Sequence, residues 1–317
     1  MAYALEPIDQ LEILTLQDNY IDIAVMDDTD IIQRARPAEN GVVRNSILAE
    51  HGFSAFITLK SMDRSHDLLM DFGFSHAGAA MNADALQCDL RRVETMVLSH
   101  GHMDHFGGLA ALAERIGKPG LELVLHPSAF RQNRYIKADA APRIGLPSLQ
   151  RKMLTAAGVT AVESAGPRML LDGTLLFLGE IPRRTDFEKG FPRMCYDDNG
   201  REKKDPIEDD TAIALHVRDK GLAVISGCAH SGIVNTLYYA RELTGIDSIF
   251  LVMGGFHLTG KDFEPVIAPT INALKALQPT YVVPTHCTGR KATQRIEAEM
   301  PQQFLLNMSG TRMTFKA

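Results

Sequence analysis

Three histidines and an aspartate crowd the stretch SHGHMDH at residues 99–105, directly after the apolar run VETMVL. His100 and His102 are separated by one glycine, so in an extended loop both rings project to the same side of the chain. Asp104 and His105 follow within the next three residues. Imidazole and carboxylate groups packed this closely would lose hydration free energy in a dry core, and a divalent cation would offset that loss. The spacing therefore predicts a metal site at the end of a strand.

No other pattern competes with this cluster for chemistry. The sequence contains no Ser-His-Asp arrangement, P-loop or GxGxxG motif. The remaining histidines that lack a partner pattern are predicted to have structural roles: His51, His66, His76 and His216. His126 ends a predicted strand, and we expect it in the core or in support of the site.

The composition is that of an ordinary globular protein. Of 317 residues, 45% are hydrophobic and 23% are charged, which is enough apolar material for a substantial core. The net charge of −6 lacks the basic field that nucleic-acid surfaces need, so we expect no nucleic-acid partner. No apolar run is long enough to span a membrane, and the segment MAYALEPIDQLEI carries acids where a signal peptide carries basic residues. We therefore expect a cytoplasmic protein with no membrane partner.

Cysteine usage agrees with that location. The four cysteines, at positions 88, 195, 228 and 287, form no CxxC pair, and they are too few for a disulfide scaffold. We therefore predict reduced thiols, and we expect Cys287 to be a small buried residue.

Short apolar runs alternate with longer amphipathic ones, which predicts strands and helices in a layered α/β or α+β sandwich. The predicted strands are Glu12–Leu16, Phe53–Leu59, Asp67–Asp71, Thr95–Leu98, Leu121–Leu125, Val159–Val162, Arg168–Leu171, Thr174–Gly179, Thr211–Val217, Leu222–Ser226, Ser248–Met253, Tyr281–Pro284 and Arg312–Phe315. Helices are predicted at 107–117, 148–158, 231–245, 263–277 and 291–300.

The connections between these elements carry three further predictions. The segment LLDGTLLFLG reads as a hairpin, because Asp172-Gly173 suits a type I′ turn. Residues 136–147 and 183–210 are predicted as loops. The second is long enough to form a lid or a mobile insertion, and a solvated charged loop is the alternative.

Four motifs occur in the order that is typical of one large family. SHGHMDHFGGL resembles the H-x-H-x-D-H signature of the metallo-β-lactamase superfamily, and LLMDFG resembles the strand ending in aspartate that precedes it. AVISGCAHSG and YVVPTHCTG resemble the two later strands that end in metal ligands. This resemblance implies a four-layer αββα sandwich with a metal site between its sheets. It also implies one domain over residues 1–317, with a loop insertion at about 183–210.

Three shorter segments resemble one branch of that superfamily. They are GEIPR at 179–183, GCAHSGIVN at 227–235 and GGFHL at 254–258. The branch is named for 7,8-dihydropterin-6-yl-methyl-4-(β-D-ribofuranosyl)aminobenzene 5′-phosphate synthase.

The chain departs from the superfamily's pattern at two ligands. A typical member supplies another histidine before the bridging aspartate, but the corresponding segment FLGEIPRRTDF has none. Cys228 stands at the position of the bridging aspartate, and His230 follows two residues later. Thiolate and imidazole both suit Zn²⁺, so either side chain is a candidate ligand, with His230 preferred and Cys228 as the alternative.

The resemblance implies a ligand set for two divalent cations, with Zn²⁺ expected and Mn²⁺ or Fe as alternatives. The predicted ligands are His100, His102 and His230 on one side, and Asp104, His105 and His286 on the other.

Five residues receive expected roles. Asp71 is predicted to hold a ligand histidine or its loop as a hydrogen-bond acceptor, while Asp104 would both bind metal and accept a proton. His257 is read as a substrate or transition-state contact rather than a ligand. Arg183 and Arg184 would either hold a phosphate or carboxylate, or form an exposed basic loop.

The predicted function is a binuclear metal-dependent hydrolase that uses a metal-activated hydroxide on a small phosphate- or ester-bearing metabolite. Two alternatives stay open. One is the synthase chemistry of the branch, and the other is a metal-binding sensor or scaffold without catalysis, which the altered ligands would suit. The sequence predicts a small-molecule substrate and leaves the oligomeric state open.

Overall fold

In the computed structural model, residues 2–36, 38–39, 42–43, 46–62, 64–138 and 142–317 are described. The strands are β1 (Gln10–Gln17), β2 (Ile32–Gln33), β3 (Ala38–Glu39), β4 (Val42–Val43), β5 (Ser54–Ser61), β6 (Arg64–Met70), β7 (Thr95–Val97), β8 (Leu121–Leu125), β9 (Arg134–Ile136), β10 (Ile144–Gly145), β11 (Val159–Glu163), β12 (Arg168–Leu170), β13 (Leu175–Phe177), β14 (Met194–Asp198), β15 (Arg201–Lys204), β16 (Ala212–Val217), β17 (Gly221–Ser226), β18 (Ile249–Gly255), β19 (Tyr281–Thr285) and β20 (Arg312–Lys316). The helices are α1 (Gly78–Ala85), α2 (Met103–Phe106), α3 (Leu109–Ile116), α4 (Arg151–Ala156), α5 (Ile233–Thr244), α6 (Glu264–Leu277) and α7 (Arg290–Glu299).

Two large sheets form the centre of the molecule. The first has the order β11-β8-β7-β6-β5-β1-β20-β2, and the second has the order β12-β13-β16-β17-β18-β19. Within the first, β6, β7, β8 and β11 run parallel, and within the second, β17, β18 and β19 do. The carboxyl ends of these parallel strands carry the loops that hold the candidate site.

The strands are apolar on both faces, because each sheet is covered on both sides. In β5, Ala55, Ile57 and Leu59 face the second sheet, whereas Phe56 belongs to the layer beneath α1, α3 and α4. The outer face of the second sheet packs against α5, α6 and α7. The result is a four-layer αββα sandwich, which confirms the predicted fold class.

Two smaller sheets accompany the sandwich. A four-stranded sheet has the order β10-β9-β14-β15, and β3 pairs with β4. The predicted loop at 183–210 is therefore partly wrong, because Met194–Lys204 forms a hairpin that pairs with β9. The predicted loop at 136–147 also contributes a strand, β10, although its residues 139–141 lie outside the described part of the chain. That the chain forms one domain over 1–317 stays a prediction.

The other local predictions are confirmed in part. The hairpin β12–β13 forms, but Leu170 pairs with Leu175, so its link is a four-residue segment rather than a two-residue type I′ turn. The helix predicted at 107–117 forms as α3 over Leu109–Ile116, and the short helix α2, which contains Asp104 and His105, was not predicted. Helix α1 was not predicted, because its buried face consists of small residues such as Ala79 and Ala83.

Among the described residues, no helix combines the length and the apolar character that a membrane crossing requires.

The packing between the two sheets should determine the stability of the fold. Leu215 of β16 is 0% exposed within that core, so Leu215→Ala is expected to lower the free energy of unfolding by about 2–5 kcal/mol. Urea denaturation measures the difference. Met62→Ala, at a side chain that is 88% exposed, is the control, and we expect a change close to zero. Equal changes in the two variants would contradict this account of the core.

Candidate metal centre

The predicted site residues follow the carboxyl ends of parallel strands in both sheets. In the first sheet, Asp71 follows β6 and His100 follows β7 after two residues. In the second sheet, Cys228 and His230 come after β17. His257 comes after β18, and His286 comes after β19. The two loop sets meet at one edge of the sandwich and bring the predicted ligands together.

The first group of donors consists of three imidazoles. His100 Nε2 lies 3.0 Å from His102 Nδ1 and 3.2 Å from His230 Nε2. Tetrahedral ligands at Zn–N distances of 2.0–2.1 Å stand about 3.3 Å apart, so the spacing of these nitrogens fits a shared cation. The three rings are buried. This arrangement is the one expected when lone pairs converge on a metal.

The second group combines a carboxylate with two imidazoles. Asp104 Oδ2 lies 3.2 Å from His286 Nε2 and 3.8 Å from His105 Nε2. His105 and His286 are buried, while the Asp104 side chain is 15% exposed. Oxygen and nitrogen donors of this kind suit Zn²⁺, and they also suit Mn²⁺ and Fe.

Cys228 lies between the two groups. Its Sγ is 3.1 Å from His105 Nε2, and donor atoms of His100, Cys228 and His230 all lie within 4.8 Å of one another. The same limit holds for Asp104, His105, Cys228 and His286. The sulfur therefore occupies the position between the two groups that a bridging ligand would take. The structure brings both His230 and Cys228 to the site, so both stay candidate ligands.

Asp71 connects both groups through hydrogen bonds. Its Oδ2 accepts a hydrogen bond from His105 Nδ1 at 2.7 Å and another from Ser99 Oγ, also at 2.7 Å. Ser99 Oγ lies 3.0 Å from His100 Nδ1 and can accept a hydrogen bond from it. With their Nδ1 protons bound in this way, both rings turn an Nε2 lone pair toward the site. Asp71 itself is 0% exposed and has a positive φ of 58°.

Two residues near the end of β1 hold His286, and the sequence did not predict them. His286 Nδ1 donates to Asn19 Oδ1 at 3.0 Å, which leaves Nε2 free to face Asp104. The backbone N–H of His286 donates to Asp18 Oδ1 at 2.8 Å. Asp18 and Asn19 stand far from every motif in the sequence. Their position directly after a strongly apolar strand was the only available signal.

His51 was predicted to have a structural role, and the structure places it at the site instead. Its Nε2 lies 3.4 Å from Asp104 Oδ2, and its ring centroid is 4.5 Å from that of His286. The side chain is 58% exposed. Hydrogen bonding of the His51 ring to the Asp104 carboxylate, which accepts, raises the pKa of His51. A lone histidine without a partner pattern gave no sequence signal for this contact.

Burial sets the protonation of the first donor group. Removal from water lowers the pKa of His100 well below its usual value, and the neighbouring rings of His105 and His102 lower it further. Burial, with the charge of Arg134, lowers the pKa of His102 to about 4. Both rings are therefore neutral near pH 7, which is the form that binds metal.

Opposite charges set the protonation of the second donor group. Burial alone would lower the pKa of His105, but Asp71 and Asp104 outweigh it and raise the pKa to about 9. Burial alone would raise the pKa of Asp104, yet His105 and His286 bring it well below its usual range. Cation binding at His105 would displace a proton, so affinity at this group should rise with pH.

His257 stands beside the first group. Its ring centroid is 4.2 Å from that of His230, and Phe191 and Phe263 enclose its other sides. His257 lines a cavity of about 190 Å³ together with His230 and Phe263. A donor atom of His257 also lies within 4.8 Å of the sulfurs of Cys228 and Cys287. Its position therefore permits contact with a bound molecule, and the two sulfurs make metal ligation the alternative.

Glycine is required where the loop after β17 passes the loop after β7. A Cβ added at Gly227 would stand 2.0 Å from Ser99 Oγ and 2.8 Å from Asp71 Oδ2. The missing side chain lets the cysteine-bearing loop approach the first histidine of the signature.

The two predicted anion-binding arginines already have partners. Arg184 forms an ion pair with Glu242 on the surface. The guanidinium of Arg183 donates to the carbonyl of Pro206 at 2.5 Å. His126 is buried and accepts a hydrogen bond from the Ser128 N–H at 3.1 Å, so it caps a short helix, in line with a core role.

Comparison with known proteins agrees with this geometry. The family profile described as the Metallo-beta-lactamase superfamily matches residues 63–286, which contain every ligand predicted from the sequence. The chain belongs to the metallo-β-lactamase superfamily.

Two relatives from Methanocaldococcus jannaschii are similar over most of their length. One is 7,8-dihydropterin-6-methyl-4-(beta-D-ribofuranosyl)-aminobenzene-5'-phosphate synthase, which is 31% identical over 81% of this chain and 87% of its own. An uncharacterised protein is 30% identical over 78% of this chain and 88% of its own. This likeness agrees with the branch that the short motifs indicated.

A solved structure shares the fold. Tm1679, described as a metal-dependent hydrolase of the beta-lactamase superfamily, superposes with a TM-score of 0.72 at 24% identity. The match covers 97% of this chain and 100% of that one.

The position of Cys228 leads to a spectroscopic prediction. We expect the Co²⁺-loaded chain to show sulfur-to-cobalt charge-transfer absorption in the near ultraviolet, and we expect Cys228→Ser to lose it, because an alcohol oxygen replaces the thiolate. Cys195→Ser is the matched control, since Cys195 is equally buried but lies on β14. A band that persists at full intensity in Cys228→Ser and disappears in Cys287→Ser would assign the sulfur ligand to Cys287 instead.

Proposed function

We propose that the protein is a binuclear metal-dependent hydrolase acting on a small phosphate- or ester-bearing metabolite. One observation carries the proposal. Two groups of donors converge around the Cys228 sulfur: His100 and His230 in one, and Asp104, His105 and His286 in the other. His102 Nδ1 joins the first group through His100 Nε2, from which it lies 3.0 Å away. Such a set of histidine, carboxylate and thiol donors is costly to bury without cations.

The proposed cofactors are two divalent metal ions, of which Zn²⁺ fits the mixed donor set best and Mn²⁺ or Fe are alternatives. When bound, they lower the pKa of water from about 15.7 to about 7 and stabilise negative charge that develops in the transition state. The ligands proposed for one ion are His100, His102 and His230, and those for the other are Asp104, His105 and His286, with Cys228 available to both.

Two residues are proposed to act on the reacting groups. Asp104 is the only carboxylate among the proposed ligands, and we assign it the acceptance of a proton from the attacking water. His257 is not needed to complete either donor group, and its ring lines a cavity next to His230. We assign it a contact with the substrate or its leaving group.

Space for a small molecule exists at both ends of the donor cluster. The cavity beside His230 and His257 measures about 190 Å³ and has walls of Phe187, Phe256 and Phe263. A second cavity of about 620 Å³ begins at His286 and passes Asn19 and Arg290. These volumes support the proposed small-molecule substrate.

A synthase reaction is the second candidate. The relative that is 31% identical is, by its name, a synthase whose product joins a dihydropterin to a ribofuranosylaminobenzene phosphate, and the match spans most of this chain. The same donor set could orient two substrates for condensation rather than activate water. Assays that supply a pterin-type substrate together with a ribofuranosylaminobenzene 5′-phosphate would separate the two reactions.

The first test is metal content by elemental analysis of protein purified without added metal or chelator. We expect close to two equivalents of Zn, Mn or Fe per chain, and we expect His102→Ala to lose one equivalent with its fold retained by circular dichroism. Hydrolysis of a panel of phosphate monoesters, phosphodiesters, carboxylic esters and lactams then tests the reaction.

Each outcome of that test bears on the proposal. One equivalent in the wild-type chain would contradict the binuclear site and favour a mononuclear enzyme. Two equivalents without turnover on the whole panel would contradict the hydrolase and favour the synthase or a metal-binding scaffold. Full metal and full turnover in His102→Ala would show that the ligand assignment is wrong.

The role of His257 can be separated from that of a ligand. We expect His257→Gln to lower kcat by about 10²–10⁴-fold, because a proton donor or acceptor is lost, while metal content stays at the wild-type value. Steady-state kinetics and elemental analysis on the same preparation give both readouts. Loss of a metal equivalent would instead identify His257 as a ligand.

A further inference from the structure

The short segment between β15 and β16, residues 205–211, runs beside both loops that carry the first donor group. Its sequence, DPIEDDT, contains four acidic residues, and three of them are buried: Asp205, Asp209 and Asp210. Residues 183–210 were read as a loop from the sequence, and nothing in that reading gave these carboxylates a role.

Asp209 holds the loop of the histidine signature. Its Oδ2 accepts a hydrogen bond from the backbone N–H of Gly101 at 2.7 Å, and Gly101 lies between His100 and His102. The carboxylate is 0% exposed, and the buried guanidinium of Arg134 binds it at 2.5 and 3.1 Å. That pairing compensates the buried charge, so the acceptor is held in one place.

The signature loop has a second bond to the same segment. The backbone N–H of Thr211 donates to the carbonyl of Ser99 at 3.0 Å. Arg134 in turn donates from Nε to Asp205 Oδ2 at 2.7 Å, so both ends of the segment are tied to one buried cation.

Asp210 holds the other loop of the same donor group. Its Oδ1 accepts from the N–H of His230 at 2.9 Å, and its Oδ2 accepts from the N–H of Ser231 at 2.7 Å. Asp210 is also 0% exposed. Two consecutive carboxylates therefore point in different directions and bind the backbone of the two loops whose imidazoles meet.

We propose that Asp209 and Asp210 are positioning residues that set the distance between the His100–His102 loop and the His230 loop, and so set the affinity for one of the two cations. The second donor group has other supports, namely Asp71 for His105 and Asn19 for His286. Neither Asp209 nor Asp210 binds the backbone of those histidines in the described part of the chain. The effect is therefore specific for the first cation.

The proposal rests on the binuclear site proposed above, so the experiment begins with the wild-type chain. Zn²⁺ is titrated into the stripped full-length protein against a chromophoric chelator, which resolves the number of sites and each dissociation constant. In Asp209→Asn and in Asp210→Asn, we expect one site to keep the wild-type Kd. The other Kd should rise by about 10–100-fold, the usual effect of removing a group that orients a ligand.

The control variant comes from the same segment. Glu208→Gln removes the adjacent carboxylate, which pairs with the Arg131 side chain and with no backbone group of the donor loops among its described contacts. We expect wild-type values for both sites. Asp210→Asn is the main variant, because Asp209→Asn leaves the buried Arg134 with less compensation and is expected to lower the folding yield.

A second background identifies which cation responds. His102→Ala removes a ligand of the first group and should leave one site, held by the second group. Adding Asp210→Asn to His102→Ala should leave the Kd of that remaining site unchanged. Circular dichroism melting of each stripped variant confirms that the fold is retained.

The outcomes are distinct. Fewer than two sites in the wild-type chain would contradict the binuclear proposal itself. Two wild-type sites that both weaken in Asp210→Asn, or that both stay unchanged, would overturn the positioning role, as would the same selective loss in Glu208→Gln. A raised Kd in the His102→Ala background would show a general structural effect instead.

Discussion

The crowding of buried imidazoles around one sulfur is the constraint on which the surrounding structure depends. His100, His105 and His230 lie within a few ångströms of Cys228, where water is excluded and a positive charge on the first group is unfavourable. A ring that binds metal must present a lone pair inward, and an acceptor at its outward nitrogen fixes that orientation. Asp71 supplies that acceptor for His105 directly, and for His100 through Ser99.

The topology explains how so many donors reach one point. Parallel strands in both sheets end at the same edge, and each is followed by a short loop at the gap between the sheets. Several residues there take positive φ angles although they are not glycine, among them Asp71, Ala229, His257 and His286. Left-handed backbone at such residues costs of the order of 1–3 kcal/mol each, and it turns the chain sharply enough for side chains to face the site.

Much of this arrangement could be predicted from the sequence. The apolar runs predict the core strands because both faces of each sheet are covered, and the spacing in SHGHMDH predicts donors on one side of a loop. His230 and His286 were predicted because AVISGCAHSG and YVVPTHCTG resemble the superfamily's strands that end in metal ligands. Patterns of this kind can be recognised because all the residues that form one of them lie within a single short stretch of sequence.

Other parts depended on contacts that leave no local pattern. Helix α1 has an alanine-rich buried face without a strong period, and β14 and β15 are too polar to resemble core strands. Three residues join the site from the N-terminal part of the chain: Asp18, Asn19 and His51. His51 contacts Asp104, about fifty residues later, and Asp18 and Asn19 bind His286, 268 and 267 residues later. Such pairings follow from the tertiary fold, so residue type and spacing could not predict them.

The support of His286 has a consequence for how the molecule is assembled during synthesis. Asp18 binds the N–H of His286 while its own carboxylate and backbone are bound by Asn307 and Ser309. Strand β20 then pairs with β1, which leads into Asp18. The signature histidines leave the ribosome some two hundred residues before these partners do. The nascent chain can therefore form the signature loop early, but the last ligand gains its full set of hydrogen bonds only when the final strand has emerged and paired with the first.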